Sequence, residues 1–173
     1  MAIGRLESVS LRRLWPNEGY DFTTWLAENL DLLAETIGTE LSLLQQEASA
    51  GVLSADILAE DASGDTVVIE NQLERTDHDH LGKLITYLSN LDAKAAIWVT
   101  SHPRLEHETA VHWLNEMLPA DAAFFLVKLD AYRIGDSPPA PLFSVVAGPT
   151  PPAREAGAKK KELAQHQRLR KEF

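Results

Sequence analysis

The sequence predicts an α/β fold, a mixed sheet flanked by helices. Three observations predict it. Apolar residues recur at helical spacing from Phe22 to Ile37. Three extended segments then follow one another directly, at about residues 40–48, 53–61 and 66–72, the last rich in β-branched side chains. Beyond them helical and extended patterns alternate, as they do where parallel strands are joined by crossover helices.

Taken in order, Asp21 can cap the first helix and Gly38 can close it, with Phe22, Trp25, Leu26, Leu30, Leu33 and Ile37 near helical spacing. The three strands come next. A second helix over residues 81–91 carries a core stripe of Leu81, Leu84, Ile85 and Leu88. Residues 95–100, AAIWVT, make a buried strand; a helix covers 105–118 and stops before Pro119; residues 123–134 and 142–147 are further strands. The order α-β-β-β-α-β-α-β fills a domain of residues 1–148. Pro, Ala and Gly are dense from 137 to 157, so residues 149–173 read as a linker and a basic helical tail, leading to a further domain or docking on a partner.

Composition removes several function classes. The chain of 173 residues has no cysteine, which excludes disulfides, thiolate metal sites, iron–sulfur clusters and thiol nucleophiles. No segment is apolar enough for a bilayer span or a signal peptide, so a soluble, cytoplasmic protein is expected. Nor is there a Gly-rich phosphate loop, a nucleophile elbow or a dinucleotide fingerprint. Residues 1–148 hold nine Lys or Arg against 23 Asp or Glu, a net −14, whereas 149–173 is basic. An acidic body argues against non-specific binding of a duplex by the whole surface, but not against a local groove whose charge a metal offsets.

The chemistry concentrates between Ser54 and His80. Ala62-Ser63-Gly64 suits a hairpin loop with Gly64 left-handed. If Asp61 then faces Asp65, paired positions place Asp56 opposite Glu70, two carboxylates within reach of one hard divalent cation. Gln72 points to the same side. Acidic residues opposed on strands repel unless a cation lies between them, which favours a site over a solvated face. The run Asp77-His78-Asp79-His80 lacks supporting ligands for zinc; capping of the next helix, with His80 toward the cleft, is the better reading. His102, His107, His112 and His166 are read as exposed, and Trp15, Trp25, Trp98 and Trp113 as core or partly buried anchors. Lys159, Lys160 and Lys161 form a solvated face or a phosphate-contacting arm.

A helix, then a strand, a strand with Asp, a strand with Glu-x-Gln and another helix resembles the PD-(D/E)XK nuclease superfamily, here as Asp56 with Glu70-Asn71-Gln72. The resemblance implies a restriction-endonuclease-like fold with Asp56, Glu70 and the Asn71 carbonyl as metal ligands. It departs from the pattern at Ala55, where proline is usual, and at Gln72, where lysine is usual; restriction enzymes with Gln there are known in the superfamily. RecB-like members carry Gln-x-x-x-Tyr on the following helix, where this chain has Lys83 and Tyr87. Glutamine and lysine look exchanged, so Lys83 is expected to orient the attacking water or stabilise the pentacovalent phosphate. His80, Lys83 and Tyr87 share one helix face. Glu28 can add a carboxylate from the first helix, as a helical Glu does in some relatives.

The implied function is Mg²⁺- or Mn²⁺-dependent hydrolysis of phosphodiesters, with DNA as the expected substrate, in bacterial repair, restriction or defence. A dimer through the C-terminal helix would suit cutting of both strands. The alternative is a catalytically inactive nuclease fold that binds nucleic acid or protein.

Overall fold

The structure is a computed structural model that describes residues 1–50 and 53–172, with the backbone alone for residues 48–50, 53, 151 and 152. It opens on a short strand β1 (Leu6–Ser8) and one helical turn α1 (Leu11–Leu14), which the apolar pattern does not announce. The first long helix differs from expectation at its start. Asn17 rather than Asp21 is the N-cap: Asn17 Oδ1 accepts from Tyr20 N, and Asp21 Oδ2 accepts from Asn17 N. A π-helical turn (Glu18–Thr23) follows, then α2 (Thr24–Glu28), a break at Asn29 and α3 (Leu30–Ile37). Asn29 bonds its amide to the Trp25 carbonyl at the break. Gly38 closes α3 in the left-handed region, as its position predicts.

Next come β2 (Ser42–Ala50), β3 (Leu53–Glu60), β4 (Thr66–Arg75), α4 (His78–Asn90), β5 (Ala95–His102), α5 (Leu105–Met117), β6 (Ala123–Ile134), β7 (Ala140–Ala147) and α6 (Pro151–Lys171). The sheet order is β1-β6-β5-β4-β3-β2, with β7 also on β6. Only β4, β5 and β6 run parallel, so all three end at one edge of the sheet. The fold is therefore mixed α/β with a mixed sheet flanked by helices. Among the described residues no helix is long and apolar enough to cross a membrane.

Alternation along β4 divides the core. Val67 and Ile69 face α2, α3 and Trp15, while Val68 packs with Leu84 and Tyr87 of α4, Trp98 of β5 and Val111 of α5. Within α4 one expectation fails: Ile85 is 42% exposed, because Leu84 and Tyr87 already fill the face turned to the sheet. Trp113 is 57% exposed on α5 and is no core anchor.

The β3–β4 hairpin takes the expected register: Glu60 pairs Thr66 and Ile57 pairs Ile69. Asp61 fastens the turn by accepting from Ser63 N and Asp65 N, and Gly64 sits at φ 81°. An Ala there would have to enter the left-handed region; Gly64→Ala is expected to cost about 1 kcal/mol in urea denaturation.

The segment expected as a linker is helical from Pro151. Thr150 caps this helix and proline stands in its first turn, where the missing N–H costs nothing. α6 lies on the body: Arg154 donates to the Ile37 carbonyl, Lys160 reaches Asp121, and Lys161 reaches Asp61 and Asp65 of the hairpin turn. Gly157 approaches the Ala120 carbonyl so closely that no side chain fits between. Phe173 lies outside the described residues.

Candidate active site

The ladder between β3 and β4 stops at Ile57 and Ile69, and one residue further on a side chain replaces the backbone. Asp56 Oδ2 accepts from Asn71 N at 2.8 Å. Asp56 and Glu70 follow the last paired residues of the hairpin, Ile57 and Ile69, and each carboxyl acts on the titration of the other. Glu70 is 3% exposed, and its Oε1 has no hydrogen-bond partner among the described residues. Burial first, and the Asp56 charge second, push the Glu70 carboxyl up to about 8. Burial likewise raises Asp56 above the usual carboxylate range, against the pull of Asn71 N and of the His80 and Lys83 charges.

A buried oxygen without a partner beside a second carboxylate is a costly arrangement for a metal-free fold. It suits a hard divalent cation, and the donors are all oxygen. Among the described residues no three His, Asp or Glu side chains gather into a complete cage. A pair of carboxylates with waters and substrate oxygens making up the rest is the usual holding of Mg²⁺.

Gln72 stands beside the pair, but its side chain is occupied. Nε2 donates to Asp77 Oδ2 at 2.7 Å, and Oε1 accepts from Trp98 Nε1 at 3.2 Å. Asp77 also caps α4, accepting from His80 N, and its Oδ1 meets His80 Nδ1 at 2.8 Å. Partial burial works against ionisation of Asp77, yet the bonds from His80 hold its carboxyl below the usual range. The His80 ring is stacked near Trp98, with centroids 6.5 Å apart and planes 7° apart. His80 and Lys83 both favour ionisation of Asp56, and Tyr87 feels the Glu70 charge while its hydroxyl donates to the Ser54 carbonyl. Along α4, Tyr87 is buried and His80 partly buried, whereas Lys83 is exposed.

Two placements correct the sequence expectations. Glu28 is exposed at the end of α2, with no hydrogen bond or ion pair to Asp56 or Glu70 among the described residues. The helical carboxylate near Asp56 is Glu18, whose Oε2 accepts from Leu73 N at 2.6 Å and whose carboxyl burial raises, with the Asp56 charge adding to it. Its only sequence signal is its place directly after the Asn17 cap. His107, expected at the surface, is 1% exposed: Nδ1 meets Thr76 Oγ1 at 2.6 Å and Nε2 meets His78 Nδ1 at 2.9 Å. Burial, then the neighbouring His78 and Arg104, lower its pKa, so a neutral ring is favoured.

No family model and no curated protein matches this sequence. Among solved structures the chain is similar to a repair endonuclease from Pyrococcus abyssi, with TM-score 0.46 and 16% identity over 52% of this chain and 40% of that one. It is also similar to EndoMS in a complex with dsDNA2 (TM-score 0.42, 21% identity, 49% of this chain and 36% of that one). A third is SfsA of Pyrococcus furiosus in complex with Ca²⁺ (TM-score 0.43, 16% identity, 75% and 63%). The chain spans less than two thirds of the length of each.

Proposed function

We propose that residues 1–148 form a metal-dependent nuclease domain of the PD-(D/E)XK type that hydrolyses phosphodiesters of DNA. The observation that carries this reading is the buried Asp56–Glu70 pair with its unpartnered Glu70 Oε1. Asp56, Glu70 and the Asn71 carbonyl would hold Mg²⁺ or Mn²⁺, which when bound supplies charge neutralisation and an acidified water.

The chain's own groups then divide the work. Asp56 and Glu70 accept positive charge in a dry setting, where their mutual repulsion is relieved. Gln72 is a positioning residue: bonded to Trp98 and Asp77, it fixes the start of α4 and so the place of His80 and Lys83. Lys83 takes the part that a strand lysine plays in the superfamily pattern, orienting the attacking water and neutralising the phosphate. His80, held at Nδ1 by Asp77, and Glu18, held by Leu73 N, border the same space. Repair, restriction or defence in a bacterial cytoplasm is the setting that fits such chemistry, with α6 as the surface for a second copy or a further domain.

The test is cleavage of plasmid, linear and single-stranded DNA, and of RNA, with Mg²⁺ or Mn²⁺. The purified protein is expected to cut DNA, and Asp56→Ala with Glu70→Ala to abolish cutting; cutting that survives the double substitution contradicts the reading. Lys83→Met is expected to lose cleavage while retaining divalent-cation binding by calorimetry. The second reading, a catalytically inactive module that binds nucleic acid or protein, is favoured by the engagement of both ends of the Gln72 amide with Asp77 and Trp98, and absence of cutting by the wild type under all these conditions would support it.

A further inference from the structure

We propose that the recess at the C-terminal edge of β4, β5 and β6 is a separate anion site that holds a backbone phosphate of a nucleic-acid strand. The proposal rests on nucleic acid as the partner, but not on catalysis. Register brings the cations together. Arg75 at the end of β4 pairs with His102 of β5, and Lys128 of β6 pairs with Thr100, two residues before His102. Arg104 follows on the loop into α5, its backbone N–H donating to Thr76 Oγ1 at 3.0 Å.

These four side chains and Ser101 line an open cavity of 620 Å³ whose only acidic lining residue is Glu106. The body has nine Lys or Arg against 23 Asp or Glu, so three of the nine at one recess stand out from an otherwise repelling surface. Local carboxylates do not neutralise them all. Arg104 is paired with Glu106 and Lys128 with Asp130 at 3.5 Å, but Arg75 has no carboxylate partner among the described residues. An unpaired Arg75 fork beside the Lys128 ammonium is suited to phosphate oxygens.

Two features point to a strand rather than a free ion. A second cavity of 310 Å³ adjoins the first, shares Ser101, His102 and Lys128 with it, and continues past Asp130 and past Arg12, which is itself paired with Glu74 at 2.8 Å. The result is a track, not an isolated cup. Arg75 also lies five residues beyond Glu70 on one strand, about 16 Å at the rise of an extended chain.

Binding of labelled single-stranded and duplex DNA, followed by fluorescence anisotropy with Ca²⁺ across a salt series, tests this. Wild type is expected to bind with a salt-dependent affinity, and Asp56→Ala with Glu70→Ala to bind at least as well. Arg75→Ala with Lys128→Ala is expected to bind at least tenfold more weakly, with a salt slope smaller by about two; Arg75→Lys should recover part of the loss. Melting curves matching wild type would tie the loss to the contacts. The proposal is overturned if the Arg75→Ala, Lys128→Ala protein keeps wild-type affinity and slope, or if inorganic phosphate binds and DNA does not. Wild type that binds through these residues but cuts nothing supports the recess and removes the catalytic reading; cutting with unchanged binding in the variant does the reverse.

Discussion

Glu70→Gln is expected to raise the melting temperature of the metal-free protein, and to raise it more at pH 9 than at pH 5. In the folded chain burial and the Asp56 charge lift the Glu70 carboxyl to about 8, whereas an unfolded Glu ionises near 4.5. Between those values the folded state keeps a proton that the unfolded state has released, so stability falls as pH climbs from about 4.5 to 8 and then levels. Such a displacement amounts to about 3–5 kcal/mol. Gln carries no ionisation and removes the fall. A divalent cation should reverse the order at pH 8, stabilising wild type by mass action and leaving the Gln variant where it was. Thermal melts at several pH values, with and without Mg²⁺, read both effects. A variant less stable at every pH, with its Mg²⁺ shift intact, would overturn the assignment of Glu70.

Trp98→Ala is expected to destabilise the fold by about 3–5 kcal/mol and to disorder the site from below. Trp98 is fully buried between β5 and the α4–α5 layer, where it packs near His80 and His107 and donates to Gln72 Oε1. Removal leaves a large cavity and an unpaired amide oxygen. Trp98→Phe separates the two effects, since the ring stays while the donor goes; a cost of about 1–3 kcal/mol is expected. Urea denaturation measures both, and a loss below 1 kcal/mol for the Ala variant would contradict the placement.

The hairpin was legible because its turn sets its register. Ala62-Ser63-Gly64 between Asp61 and Asp65 allows one pairing, and that pairing brings Asp56 to Glu70. Gln72 lies on its strand as the pattern predicts, but its partners Trp98 and Asp77 arrive from a crossover strand and a helix cap, which no local spacing signals. Glu18 precedes the apolar periodicity, and the cap at Asn17 moves the helix start upstream of it, so the pattern of spacing does not signal it. The burial of His107 depends on Thr76 and His78, far away in sequence, and no spacing within α5 signals it. The start of α6 did carry a local signal, Thr150 followed by Pro151 and Pro152, which the density of proline concealed.

The bond from Asn71 N to the Asp56 carboxylate gives the site a built-in reporter. There the hairpin's zipper closes on a catalytic candidate rather than on backbone. Any charge that draws on the Asp56 oxygens, whether a proton or a cation, must alter the shielding of the Asn71 N–H. Its nuclear magnetic resonance signal, and its rate of exchange with deuterated solvent, would follow occupancy of the site with no substrate present and in variants that cut nothing.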